Sequence, residues 1–229
     1  MVYSYTASLH GAMAILCLAS LIYLFYKKSD SNAEIYKNYF NWFLFFFLYN
    51  LALVLPLVMF YELKRESSFF YAAALFFLGL GAWNAFRVGL SLLVQDESRR
   101  KIFSIFYVSG VIAAVALHFI FSEVPKGSPD GKWVFWYGNA YVSYIYILFM
   151  MTAAWTFTAS LLKGYSSLGK VYLKARTLLL MFGGFILSFA AFYYFGATEL
   201  IHIYLAFLFS ILGLMFFLIG NLVGLFKKG

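Results

Sequence analysis

The stretch Leu200–Phe226, LIHIYLAFLFSILGLMFFLIGNLVGLF, contains no Asp, Glu, Lys or Arg and ends against Lys227 and Lys228. A helix needs about 20 predominantly apolar residues to cross a hydrocarbon core about 30 Å thick. The stretch is therefore a complete span closed by a basic anchor. Working back from it, spans of the same kind lie near Leu9–Tyr26, Tyr39–Tyr61, Phe69–Val94, Ile102–Phe121, Trp133–Leu162 and Ala175–Phe195. Seven spans fill the chain, and residues 1–229 read as one all-α, polytopic, seven-helix transmembrane domain. The first span has no basic residue before it and no convincing small-residue cleavage site after it, so it reads as a retained helix and not a signal peptide.

Composition agrees. With 64% hydrophobic and 11% charged residues, there is too little polar surface to coat a water-soluble domain. Lysines and arginines collect in alternate gaps. Lys27, Lys28, Lys37, Arg99, Arg100, Lys101, Lys163, Lys170, Lys174, Arg176, Lys227 and Lys228 fall on one side, and only Lys64, Arg65, Lys126 and Lys132 on the other. By the positive-inside rule the N-terminus is outside and the C-terminus cytoplasmic. The net charge of +8 is then a basic membrane face whose partners are anionic lipids, and it does not indicate nucleic acid. Trp133, Trp136 and Tyr137 at the outer boundary, and Tyr39 and Trp42 at the inner one, read as interfacial aromatic belts. Cys17 is the only cysteine, so no intramolecular disulfide forms. Ser122–Lys132, with Pro125, Gly127, Pro129, Asp130 and Gly131, reads as an external turn. The inner connection Lys163–Lys174 carries Gly164, Ser166, Ser167 and Gly169 and is expected to be mobile or amphipathic. Pro56 is the only proline inside a span, which argues against a transporter built of broken helices in matching halves.

Polar groups inside spans are costly in lipid and mark candidate sites. Asn50 and Asn84 fall near the midplane, where two facing amides would hydrogen-bond across helices. Arg87 shares a helix face with Asn84 and either snorkels to the headgroups as an anchor or joins a switching network. Asn221, between Gly220 and Gly224, belongs to a small-residue packing pattern. All three histidines map to the outer side: His10, His118 and His202, with Glu199 beside His202. They are candidates for a metal, haem, proton or polar-ligand site, although no HxxxH or HExxH pattern links them and the bland alternative is histidine at a wet headgroup interface. A ligand pocket there would draw on His118, Asn139, Tyr141, Tyr144, Glu199 and His202. The sequence names no cofactor. The seventh span has no lysine to hold retinal, no paired carboxylates lie in the membrane, and neither GxSxG nor a phosphate-binding glycine loop occurs. The chain is therefore not expected to be an enzyme.

Lys132-Trp133-Val134-Phe135-Trp136, the tyrosines Tyr141, Tyr144 and Tyr146, the basic linker through Tyr172, Lys174, Ala175 and Arg176, and the closing apolar pair of helices give the chain a family likeness. It resembles the seven-transmembrane N-terminal sensor region of bacterial membrane histidine kinases. The resemblance implies a prokaryotic inner-membrane sensor with an external or intramembrane stimulus, a shift among helices and a readout on the basic inner face. Such regions feed a cytoplasmic output domain, whereas this sequence stops at Lys227-Lys228-Gly229, so the resemblance implies signalling through a separate membrane or cytoplasmic protein. The competing expectation is a small transporter or channel, or an accessory subunit of a larger membrane complex.

Overall fold

The computed structural model describes residues 4–26, 33–59, 65–121, 124–136 and 140–223. Of the residues named above, Lys27, Lys28, Tyr61, Lys64, Ser122, Tyr137, Asn139, Gly224, Phe226, Lys227, Lys228 and Gly229 lie outside these segments. Seven helices appear: α1 (Ser4–Tyr26), α2 (Ala33–Met59), α3 (Arg65–Leu93), α4 (Glu97–Ile120), α5 (Ala140–Tyr165), α6 (Val171–Phe195) and α7 (Leu200–Leu222). Each is long and apolar enough to cross a membrane. Large apolar side chains also cover the exterior, among them Ile15, Phe25, Ile105, Phe106, Leu148 and Phe182. An outside this greasy would aggregate in water and is stable only against lipid.

The helices are apolar on nearly every face, so their arrangement is set by packing contacts rather than by amphipathicity. Neighbours run α1, α2, α3, α5, α6, α7 and back to α1, while α4 packs from outside on α3 and α5. In α3, 61% of the apolar window is buried, against 22% in α4. α3 is thus a wall of the bundle and α4 a peripheral buttress. Small residues permit close backbone approach at Gly89 on α3, where a Cβ would lie 2.8 Å from the Phe157 nitrogen on α5, and again between α6 and α7. A Cβ on Gly183 would lie 3.1 Å from the Gly213 carbonyl oxygen, and one on Gly213 3.2 Å from that of Gly183. No side chain fits between the two backbones there.

Elsewhere phenol and indole groups tie the helices together. The Tyr146 hydroxyl on α5 donates to the Leu75 carbonyl on α3 at 3.0 Å, and Tyr107 on α4 to the Phe149 carbonyl on α5 at 2.6 Å. Trp83 Nε1 on α3 donates to Ser104 Oγ on α4 at 2.8 Å. Tyr39 on α2 donates to Asn221 Oδ1 on α7 at 3.3 Å. These bonds use the second lone pair of helical carbonyls and the few side-chain acceptors inside the bundle. Asn221 is therefore a bonded cross-helix contact as well as a neighbour of the packing glycine Gly220.

Two connections differ from the sequence expectation. The fifth helix begins at Ala140 and not at Trp133, because residues 126–135 form a small antiparallel hairpin of β1 (Lys126–Gly127) and β2 (Val134–Phe135). Gly131 turns it with φ 66°, and the Gly131 amide donates to the Ser128 carbonyl at 2.9 Å. Trp133 and Trp136 are buried in the protein, so they are packing residues and not members of an interfacial belt. The connection after α5, expected to be mobile or amphipathic, is a tight turn: helix continues through Tyr165, Ser167 Oγ donates to the Gly164 carbonyl at 2.8 Å, and α6 starts at Val171.

The N-termini of α1, α3, α5 and α7 share one end of the bundle with the hairpin, the hairpin end. The opposite one, with the α3–α4 and α5–α6 turns, is the basic end.

Candidate functional site

A line of cavities enters the ring from the hairpin end. The first is a vestibule of about 230 Å³ between the hairpin, the start of α5, the end of α6 and the start of α7. Val134, Phe135 and Trp136 form one wall; Ser143 and Tyr144, Gly196 to Thr198, and Ile203 form the others. The hairpin is fixed there by α1: the Val134 amide donates to Thr6 Oγ1 at 2.9 Å, and Trp133 packs edge-on to Tyr204 with ring centroids 4.5 Å apart. Trp136 Nε1 is buried without an acceptor among the described residues, so the vestibule wall includes an indole donor unsatisfied by them.

Tyr194 and Phe195 line both the vestibule and a second, inner chamber of about 40 Å³. All six helices of the ring contribute to this chamber: His10 and Met13 from α1, Tyr49 and Asn50 from α2, Leu78 from α3, Met150 from α5, Leu187 to Phe195 from α6, and Phe207 and Ser210 from α7. Its polar centre is His10, fully buried, whose Nδ1 lies 2.9 Å from Asn50 Oδ1. Asn50 Nδ2 donates to the Phe46 carbonyl at 2.8 Å. This fixes the amide with its oxygen toward the imidazole, so His10 Nδ1 carries the proton and donates. In the uncharged ring Nε2 is then an acceptor, and it has no partner among the described residues. Rings of Phe207, Tyr49 and Tyr194 stand edge-on to the imidazole at 5.0, 6.0 and 6.3 Å. The Tyr49 and Tyr194 hydroxyls face one another across the chamber.

Below the chamber the axis closes. A void of about 20 Å³ lies among Trp42, Phe46, Ala82, Met150 and Leu187. Beneath it Trp42, Phe157 and Phe217 form an aromatic plug, with Trp42 to Phe217 at 4.8 Å and Trp42 to Phe157 at 5.3 Å. Such pairs add about 0.5–1.5 kcal/mol each beyond their buried area. The vestibule thus lies at the hairpin end, and the aromatic plug lies on the basic side of the chamber.

The sequence-predicted residues divide. The three histidines do not converge, and among the described residues no three of His, Cys, Asp and Glu are grouped as a metal ion would require. His118 is buried on α4, edge-on to Tyr71 at 5.1 Å. Tyr71 in turn stacks on Trp136. The Ser68 backbone approaches the His118 ring, but neither ring nitrogen has a partner at full hydrogen-bond geometry among the described residues. His202 Nδ1 accepts from the Thr198 amide at 3.3 Å and so supports a vestibule wall from behind. Glu199 is exposed and leaves its helix uncapped. Tyr141 and Tyr144 are exposed, and only Tyr144 lines the vestibule. Of the residues expected to form one pocket, Tyr144 lines the vestibule and His202 stands behind its wall, His118 lies apart on α4, and Asn139 is outside the described residues.

Asn50 and Asn84 do not pair. Asn84 Nδ2 donates to the Leu80 carbonyl of its own helix at 2.8 Å, and Asn50 is engaged by His10. Arg87 reaches the basic end, where it lies 3.1 Å from Glu34 Oε1 and its guanidinium sits 5.1 Å from the centre of the Trp83 ring. Glu34, Tyr49 and Tyr194 were not singled out from sequence. Glu34 sits just before the predicted start of the second span, and two tyrosines among 19 carry no distinguishing pattern.

The fold and these cavities define a multi-pass helical membrane protein with an axial polar chamber. Comparison with protein families, with curated proteins and with solved structures finds no match for this chain.

Proposed function

We propose that the protein is a sensor of receptor type. In this reading the N-terminus and hairpin lie outside, the C-terminus is cytoplasmic, and a small uncharged ligand with at least one N–H or O–H donor passes the vestibule to engage His10 Nε2. The observation that carries the reading is the lining of the chamber: one occupant would touch all six ring helices. Occupancy would then favour whichever arrangement of those helices fits the ligand, which is how binding energy becomes a shift between states. The signal passes to a separate protein at the basic end, in keeping with the sensor-region resemblance. The aromatic plug favours this reading over a channel, since a conducting path has to continue through the bundle. At about 40 Å³ the chamber suits a ligand, or ligand group, of a few heavy atoms, given that one water needs about 10–15 Å³.

Two measurements test it. In a Cys17→Ser background, Ala197→Cys in the vestibule and Ser210→Cys in the chamber are exposed to a small membrane-impermeant thiol reagent in oriented vesicles. Both react from the face bearing the N-terminus, Ala197→Cys faster. Reaction of Ser210→Cys only from the other face would reverse the proposed route. In parallel, small amides, alcohols and diols are screened for raising the Tm of the purified protein, as any ligand selective for the folded state must. A class that stabilises the parent chain but not Asn50→Leu supports the sensor; no Asn50-dependent shift removes it.

A further inference from the structure

The basic end carries a second site, chemically unlike the chamber and independent of its reading. A cleft of about 480 Å³ opens between α3, α4 and the start of α2, a volume within the ~300–1,000 Å³ usual for small-molecule pockets. Three cations line it, Arg87, Arg100 and Lys101, against two carboxylates, Glu34 and Glu97. Arg87 is paired with Glu34 at 3.1 Å and Lys101 with Glu97 at 2.7 Å. Arg100 makes no ion pair of this kind among the described residues; it feels the Glu97 carboxylate at longer range, and its Nε is buried with no acceptor. A guanidinium nitrogen withdrawn from water with its N–H unanswered is costly, and an oxyanion in the cleft would satisfy it. Ser104, one turn along α4 from Arg100, also lines the cleft. Its oxygen already accepts from Trp83 Nε1, which leaves its hydroxyl hydrogen free to donate. The N-terminus of α4 is not the attraction, because Asp96 already caps it, accepting from the Ser98 and Arg99 amides at 2.8 and 3.3 Å.

The cleft's position identifies the favoured source of the anion. Its rim on α4 continues into exposed Ile102, Ile105 and Phe106, so a molecule with its anionic head at Arg100 would lay its hydrocarbon along the outer face of α4. We propose that this cleft binds a phosphate-ester anion through Arg100, Ser104 and Lys101, supplied by the headgroup of an anionic phospholipid. Arg–phosphate contacts are charge-assisted and can be bidentate, and the peripheral placement of α4 gives the lipid access from the side.

The test uses the full chain in mild detergent, with binding read by native mass spectrometry and thermal shift. Phosphatidylglycerol is expected to bind saturably and at least about fivefold more tightly than phosphatidylcholine. Arg100→Gln should weaken phosphatidylglycerol about tenfold, while Arg99→Gln, whose guanidinium pairs with Asp96 at 3.3 Å, should leave it unchanged. Ile105→Asn separates the sources: it weakens the lipid but not inorganic phosphate. Arg100-dependent binding of inorganic phosphate that excludes phosphatidylglycerol would keep the anion site and assign it to free phosphate. Equal binding of the two lipids with no phosphate binding, or an Arg100→Gln protein that binds like the parent, would overturn the proposal.

Discussion

In the central chamber the polar side chains are an imidazole, an amide, two phenols and a hydroxyl, enclosed by all six ring helices. In the basic cleft they include three cations, two carboxylates and two serine hydroxyls at the edge of the bundle, where one wall is the least buried helix. Both sets interrupt apolar helices, yet the chemistry follows depth and enclosure. A charge at mid-membrane must be paired or reach water, whereas an imidazole and an amide can satisfy each other in place. Near a helix end a long side chain reaches the headgroups, so ion pairs are tolerable there. The two regions are separated along the axis by the plug of Trp42, Phe157 and Phe217.

Removing that plug is the most severe way to break the contrast. Trp42→Ala deletes a buried ring that contacts Phe43, Phe46, Phe157 and Phe217. Truncations of this kind cost about 3–5 kcal/mol, the largest loss expected of any variant considered, measurable by denaturant unfolding in detergent. Combined with Ser210→Cys, it should also make the chamber thiol reactive from both membrane faces. A stability loss with unchanged one-sided labelling would mean that Phe157 and Phe217 close the axis without Trp42.

The next effect concerns what holds each polar group. A double-mutant cycle on His10 and Asn50 should give a coupling of about 0.6–2 kcal/mol, the range for hydrogen bonds between membrane helices. The same cycle on Arg87 and Glu34 should give about 0–1 kcal/mol, since their side chains are 32% and 53% exposed. Raising the salt should shrink the second coupling and leave the first alone. A larger, salt-insensitive value for Arg87–Glu34 would erase the distinction between an enclosed site and a solvated one.

How much of this the sequence discloses follows from the same physics. Span number and residue depth depend on lengths of apolar chain, so all seven helices, and the placement of His10, His118 and His202 toward one end, are legible. Direction around a helix is not. With apolar residues on every face there is no polar stripe to mark which side meets protein, so His10 and His118 look equivalent although one meets Asn50 in the chamber and the other meets Tyr71 behind it. Trp133 to Trp136 misleads for a related reason: a short apolar run fits a buried strand as well as the start of a helix. The Gly183–Gly213 contact is two residues on separate helices, with no motif within either to announce it. Tyr194 is visible as part of the site only once α6 and α7 are placed beside α1.

The smallest expected effect lies in the hairpin that roofs the vestibule, and it sharpens the contrast by bringing a charge to the chamber end. Asp130 accepts the Ser128 hydroxyl hydrogen and, at 3.1 Å, the Lys132 amide; these bonds, the Ser128 hydroxyl foremost, hold its carboxyl below the usual carboxylate range. A depressed acid favours the folded hairpin when ionised. Its contribution is therefore present above the unfolded value, about pH 4, and is lost as pH falls through the lower folded value. The carboxylate is exposed, so solvent screens the effect and keeps it local. Hydrogen exchange over residues 126–135 should show protection declining below about pH 4 in the parent chain, while Asp130→Asn, which keeps an acceptor but no titrating charge, should be flat over that range. Because the Val134 amide is bound to Thr6 on the helix that carries His10, the acid-loosened hairpin should also quicken labelling of Ala197→Cys in the vestibule. Identical pH profiles for the parent and Asp130→Asn would place the acid sensitivity elsewhere in the chain and leave the hairpin as a roof whose fit does not depend on charge.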